Sequence, residues 1–244
     1  MAKFVPLSFW VTLAVYLALA SPLAVGWLDG WLATTLPAVG MSVSSLLTSR
    51  LVALMIWGSI ALFIVAPGWR ILWKLPVFGP WFARRLFPDL NGEWVATIQS
   101  NWPIVDRLKT AAASKEITFD PFDDEHLPTL LEAKFEVKIK QSWFRVDVTF
   151  LPNENTPLLS SETVSVEFFK SETGRKSIAW VYEQTNKQDN AHRLARTDQQ
   201  KFYGSAVLTL NEDASELAGH YWQIRSWDRG LNAAGLLVMR RKFG

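Results

Sequence analysis

Lys134–Lys140 reads KFEVKIK, and its strict alternation of apolar and charged side chains decides the fold of this chain. On an extended strand, Phe135, Val137 and Ile139 share one face, and the charged side chains share the other. A strand with one buried face and one wet face is typical of an antiparallel sheet. We therefore predict an all-β domain around this stretch.

Similar stretches recur on both sides of it, separated by short turns rich in Pro, Asn, Asp and Gly. The predicted strands are Glu93–Ser100, Lys134–Lys140, Trp143–Phe150, Thr163–Lys170, Ser177–Gln184, Lys201–Leu210, Leu217–Arg225 and Gly235–Lys242. A short helix is expected around Ile104–Ser114. Eight antiparallel strands can close into an up-and-down β-barrel with room for side chains or one ligand, and an open sandwich is the alternative.

The N-terminal part of the chain has a different composition. Phe4–Leu28 contains no charge, and a second apolar run covers Leu51–Trp69. Each is close to the roughly 20 apolar residues that a helix needs to cross a bilayer. We predict a two-helix transmembrane hairpin over residues 1–69. A cleaved signal peptide is the alternative, although the apolar run continues beyond Ala20, where such a peptide would end.

The distribution of charge predicts the topology. Residues 70–85 carry four basic residues and no acid, whereas the loop of the hairpin holds only Asp29 and Arg50. The positive-inside rule then places both termini in the cytoplasm. The predicted organisation is a membrane hairpin at 1–69, a basic membrane-proximal connector at 70–89 and a cytoplasmic β-barrel ligand-sensing domain at 90–244.

Composition excludes several classes of site. The chain has no cysteine, which excludes disulfides, thiol nucleophiles and zinc–cysteine sites. The run Asp123–His126 is interpreted as a solvated loop, because consecutive side chains rarely converge on one metal ion. Residues 86–244 carry a net charge of −3, which argues against a DNA or RNA partner. No catalytic constellation occurs, so we expect neither an enzyme nor a resident metal or cofactor.

A ligand inside the barrel would need aromatic rings and a few placed polar groups. An arginine beside Tyr or Trp suits a ligand with a phosphate and a base. Strand parity puts Trp180, Tyr182 and Gln184 on one face and Tyr221, Gln223 and Arg225 on another. The predicted ligand-binding residues are Trp94, Trp143, Arg145, Tyr182, Tyr203, Tyr221 and Arg225. Two other interpretations stay open: a barrel that carries an apolar ligand, and a fully packed module that binds a partner protein.

The order of these parts and three short motifs carry a resemblance. The motifs are Leu90–Trp94 (LNGEW), Gly219–Arg225 (GHYWQIR) and Gly235–Val238 (GLLV). Together they resemble the two-helix, β-strand-rich membrane effectors that associate with CD-NTases in bacterial CBASS antiphage defence. The chain departs from that family at Ser226–Ala234, a longer turn that holds Trp227.

The resemblance implies a function that the residue pattern alone does not. Such a protein binds a cyclic dinucleotide in its barrel, oligomerises, and disrupts the bacterial inner membrane so that the infected cell dies. It implies a multi-pass inner-membrane protein whose partners are a cyclic dinucleotide, the lipid bilayer and further copies of itself.

Overall fold

The computed structural model describes residues 16, 27, 55, 57–59, 69–76, 78–85, 87–142, 145–154, 156–188, 199–230 and 232–242. The chain forms two compact units, Val5–Leu86 and Phe87–Gly244. In the first, α1 (Trp69–Lys74) and α2 (Phe78–Arg85) are separated by Pro76. Lys74 occupies the last turn of α1, where a cation is favoured by the helix dipole.

No helix among the described residues combines the length and the apolar character needed to cross a membrane. The predicted transmembrane helices at Phe4–Leu28 and Leu51–Trp69 fall almost entirely outside the described residues.

The second unit is built from eight described strands and one α-helix. They are β1 (Gly92–Ser100), α3 (Trp102–Ala113), β2 (Leu131–Gln141), β3 (Val146–Phe150), β4 (Leu158–Lys170), β5 (Lys176–Asn186), β6 (Lys201–Leu210), β7 (Glu216–Gln223) and β8 (Ala234–Arg241). The prediction of eight strands is confirmed, with β4 beginning earlier and β7 ending earlier than expected. Of the predicted strand Trp143–Phe150, residues 143–144 lie outside the described residues.

All eight strands form one antiparallel sheet in the order β3-β2-β1-β8-β7-β6-β5-β4. Because β1 pairs with β8, this order is the chain order read around a ring. Asn101 extends that pairing, since its N–H donates to the Ala234 carbonyl (2.9 Å) and its Oδ1 accepts from the Ala234 N–H (2.8 Å). The sheet is therefore an up-and-down barrel. It is closed by a backbone ladder at β1–β8 and nearly closed between β3 and β4.

The remaining seam lies between β3 and β4, the two ends of the sheet order. A bulge in β4 beside Thr163 turns its side chain toward β3. The Thr163 hydroxyl accepts a hydrogen bond from the Val148 N–H and donates one to the Val148 carbonyl, both at 2.9 Å. A single side chain thus supplies the contacts that a backbone ladder would make.

The alternation in β2 orients the barrel wall as its sequence predicts. Val137 and Ile139 are buried, while Lys134, Lys138 and Lys140 are not. Gln141 ends the strand and fixes the entry of the chain into β1, because its Oε1 accepts from the Leu90 N–H at 2.7 Å. Alternate side chains along β2 therefore pack into the barrel core, and the side chains between them face solvent.

We expect Thr163→Val to weaken the barrel. The variant keeps the shape of the side chain but leaves the Val148 N–H and carbonyl unpaired at the seam, which costs about 1–3 kcal/mol. For a domain of this size that lowers the melting temperature by roughly 2–10 °C. Thermal unfolding of the full-length chain, followed by circular dichroism, measures the change.

Thr149→Val, on the exposed outer face of β3, is the matched control and should melt within about 1 °C of the parent, as surface changes usually do. Equal melting temperatures for both variants would show that the seam does not depend on Thr163.

Candidate functional site

A cavity of about 250 Å³ lies inside the barrel, with residues of seven strands and the first residue of α3 in its wall. Strand β6 contributes none of the lining residues. Its inner position Gly204 is covered by the Tyr182 ring, and a Cβ at Gly204 would overlap that ring. The glycine therefore lets Tyr182 lie flat against the wall and leaves the middle of the barrel open.

One side of the cavity is a row of aromatic rings. Phe135 and Phe150 meet edge to face with their centroids 5.7 Å apart, and Phe150 and Trp180 follow at 6.4 Å. Tyr182 continues the row 6.0 Å from Trp180. This wall offers planar apolar surfaces against which a flat ligand can stack.

A row of polar side chains continues along β5 and β7. Gln223 Nε2 donates to the Tyr182 hydroxyl and to Gln184 Oε1, both at 3.3 Å. Gln184 Nε2 then donates to Asn186 Oδ1 at 2.8 Å. Amide groups held in this way are placed by their neighbours, so they can bind a ligand without being ordered first.

Arg225 carries the only formal charge among the described residues that line the cavity. Its guanidinium carbon lies 4.4 Å from the centre of the Trp102 ring and 5.3 Å from that of Phe202. Stacking on aromatic rings orients the planar guanidinium and keeps its charge intact. A cation fixed in this way is suited to bind a phosphate.

Both cavity tyrosines stay protonated at neutral pH. Burial raises the pKa of Tyr182 well above its usual value, against the opposing effect of the Gln223 hydrogen bond. Burial also raises the pKa of Tyr221, partly offset by a hydrogen bond with Ser100 and by the charge of Arg225. The two hydroxyls therefore remain available as hydrogen-bond donors.

The structure brings three of the predicted ligand residues together: Tyr182, Tyr221 and Arg225 all line the cavity. Strand parity predicted that Tyr221 and Arg225 share a face, and the structure shows that this face and that of Tyr182 point inward. Trp143 lies outside the described residues.

Trp94, Arg145 and Tyr203 lie away from the cavity. Trp94 is fully buried, and its Nε1–H donates to the Leu90 carbonyl at 3.0 Å. Arg145 is exposed and pairs with Asp147 at 2.8 Å, while Tyr203 is exposed on the outer face of β6. A role for these three in ligand binding stays a prediction.

Sequence reasoning did not select Asn186 or Trp102 as site residues. Asn186 lies two positions beyond Gln184, so the same parity could have found it. Trp102 belongs to no strand. It lies at the start of α3, where the period-two alternation of a strand does not apply. Only the folded barrel places it against Arg225.

The run Asp123–His126 is an exposed turn, as predicted. His126 Nδ1 and Asp123 Oδ2 lie 2.7 Å apart, so the two side chains pair with each other. Within the part of the chain that the structure describes, no group of three or more possible ligands could hold a metal ion.

The raised pKa of Tyr182 predicts a loss of stability at alkaline pH. Above about pH 10 the unfolded chain releases this phenolic proton while the folded chain retains it, so unfolding becomes progressively easier. Tyr182→Phe removes this contribution. Its melting temperature should therefore fall less steeply than that of the parent between about pH 9 and pH 11.

Tyr203→Phe, at an exposed tyrosine, is the matched control and should follow the parent profile. If Tyr182→Phe and the parent gave parallel melting curves against pH, burial of this hydroxyl would have no thermodynamic effect.

Comparison with known proteins gives one family. No curated protein matches the chain. Residues 123–241 match the family model described as Cap15, cyclic dinucleotide receptor domain. The matched segment includes β2 to β8, and with them Tyr182, Tyr221 and Arg225. Residues 123–241 are therefore similar to the cyclic dinucleotide receptor domains of CBASS effectors, which supports the resemblance carried by the sequence motifs.

Proposed function

We propose that this chain is a CBASS membrane effector that binds a cyclic dinucleotide in the barrel cavity, oligomerises on binding and disrupts the inner membrane. The observation that carries the proposal is Arg225, the one cation among the described residues of the cavity wall, stacked on Trp102 within a segment that matches a cyclic dinucleotide receptor domain. The family supports the class of ligand, and the geometry of the cavity supports the place where it binds.

The chemistry of the wall suits the two parts of such a ligand. The guanidinium of Arg225 can pair with a phosphate through two parallel hydrogen bonds. The aromatic row from Phe135 to Tyr182 can stack against a base. Because the domain as a whole is weakly acidic, attraction of an anion depends on Arg225 rather than on the overall charge.

The size of the cavity limits how the ligand lies. About 250 Å³ is slightly below the usual range for small-molecule sites, roughly 300–1,000 Å³. We therefore expect a cyclic dinucleotide to fill the cavity and to extend out of it. The cavity also argues against the fully packed module, one of the two other interpretations of the sequence.

Arg225→Ala is expected to weaken binding of a cyclic dinucleotide by about 10- to 100-fold, because a hydrogen bond to a charged group contributes about 1.5–3 kcal/mol. Isothermal titration calorimetry on the full-length chain in detergent, with a panel of cyclic dinucleotides, measures the change. Arg175→Ala removes an exposed arginine in the β4–β5 turn and should leave the Kd within about twofold, as expected away from the site.

If the affinity of Arg225→Ala were unchanged, the phosphate of the ligand would not bind at Arg225. The same titration of Arg145→Ala decides the prediction made for Arg145 from sequence. Binding of fatty acids by the parent, with no binding of any cyclic dinucleotide, would favour the apolar-ligand interpretation instead.

An apolar outer face on β5 to β8 supports the proposed oligomerisation. Its apolar members are Val181, Tyr203, Val207, Trp222 and Leu236, and the neutral side chains of Ser205 and His220 lie between them. Tyr203, Trp222 and Leu236 are 51%, 44% and 42% exposed, high values for large side chains at neighbouring positions of one sheet. Exposed apolar surface of this kind marks sites of protein association.

The charges beside this face support a second copy of this chain as the partner. Lys201 pairs with Glu183 at 2.8 Å, and Arg240 pairs with Glu216 at 2.7 Å, so these charges are balanced within the chain. A neutral apolar surface does not select a strongly acidic or basic partner, but it complements itself. We therefore assign its occupant as a second copy of this chain, packed face to face.

We expect the full-length chain, reconstituted in vesicles of bacterial phospholipids, to release an entrapped dye when its cyclic dinucleotide is added. Trp222→Glu should bind the ligand as the parent does but release dye at least about tenfold more slowly, because association would bury an unpaired charge. Fluorescence dequenching measures release, and calorimetry measures binding.

Phe122→Glu changes a phenylalanine that is 91% exposed in a turn outside the apolar outer face, and it should behave as the parent. Release by Trp222→Glu at the parent rate would exclude this face as the assembly surface. Ligand binding without any dye release from the parent would contradict membrane disruption.

A further inference from the structure

Asn186 combines complete burial with an unused hydrogen-bond donor. Its side chain is 0% exposed, lies at the end of β5 and forms part of the cavity wall. Its Nδ2 group has no hydrogen-bond partner among the described residues. Buried polar groups in folded proteins are nearly always paired, so an unpaired donor beside a cavity indicates the position of a ligand atom.

The residue is held firmly in this position. The Asn186 N–H donates to the Gln200 carbonyl at 2.9 Å, and the Asn186 carbonyl accepts from Gln200 Nε2 at 3.3 Å. Its backbone is therefore fixed on both sides. The free donor is part of the cavity wall and not a consequence of a frayed strand end.

The row of amides decides which kind of atom Asn186 can bind. Gln223 donates to Gln184, and Gln184 donates to Asn186 Oδ1. Gln223 Nε2 also lies against the Tyr182 hydroxyl, which fixes the orientation of the first amide in the row. Oδ1 already accepts this bond, whereas Nδ2 has no partner among the described residues, so the unpaired group is a donor and its partner must be an acceptor.

The rest of the wall indicates which acceptor remains. Arg225 is the one charged group among the described lining residues, so a phosphate is expected there. An uncharged amide is then left for a base. Asn usually binds adenine by accepting from N6 and donating to N7, which needs both ends of the amide. Here Oδ1 already accepts from Gln184, so adenine would compete for it, whereas the keto oxygen of guanine or uracil needs only the unpaired donor.

We propose that Asn186 is a specificity-determining residue whose Nδ2 group donates to the keto oxygen of a guanine or uracil base. The receptor then prefers cyclic dinucleotides that carry a keto base over those that carry only adenine. This inference rests on the proposed function, since it assigns the base contact within the same cavity.

The test compares cyclic di-GMP, cyclic di-UMP and cyclic di-AMP by calorimetry on the full-length chain in detergent. The parent should bind at least one keto ligand about tenfold or more tightly than cyclic di-AMP, the usual size of one base contact. Asn186→Asp replaces the donor by an acceptor of the same shape. The added carboxylate should weaken all three ligands by charge repulsion, and the keto ligand most, so that the preference is lost.

Asn186→Ala is measured beside it, since a buried carboxylate can unfold the barrel, and it should reduce the preference without reversing it. Melting temperatures of both variants report folding. Gln99→Ala, an exposed amide on the outer face of β1, is the matched control and should retain the full preference.

The outcomes separate the two proposals. A parent that binds cyclic di-AMP as tightly as both keto ligands overturns the role of Asn186 and leaves the proposed function standing. An undiminished preference in folded Asn186→Ala does the same. A parent that binds none of the three ligands overturns the proposed function, and the base contact falls with it.

Discussion

Backbone pairing between β1 and β8 makes a cavity possible in this domain. The pairing runs from Trp94–Arg241 to Ser100–Gly235 and joins the first and last strands of the barrel. At the end of this pairing the two strands approach so closely that a Cβ on Gly235 would overlap the Gln99 carbonyl oxygen. Without this pairing the strands would form two separate ladders, β1–β3 and β4–β8, with unpaired edges, and their apolar faces would have to be covered by something else.

Closure of the barrel brings the inward side chains of different strands together. Once the sheet is a ring, every inward residue faces the inward residues of strands far away in the chain. Trp102 reaches Arg225 across more than a hundred residues, and Gln223 reaches Tyr182 from a strand that is not its neighbour. The site is therefore a property of the ring, because no single hairpin holds Trp102, Arg225 and Asn186 together.

The sequence predicts the fold well and the site only in part. Period-two alternation located all eight strands, because each has one wet face and one apolar face, as Lys134–Lys140 shows. Parity also placed Tyr221 and Arg225 on one face, but it did not decide which face of a strand points inward. Parity could not predict that Val146 and Val148 are the residues of β3 that point inward. The turn before β3 decides which alternate residues point inward. Arg145 is for that reason on the outside.

The β1–β8 joint has a further consequence for how the protein is made. The strands that meet there are separated by almost the whole length of the domain, and contacts of such long range form late in folding because the chain entropy of closing the loop must be overcome first. While β8 is still inside the ribosome, the nascent chain has no closed cavity. Any ligand binding that needs the cavity therefore needs β8 as well, and a chain that stops before Ala234 lacks the strand that closes the ring.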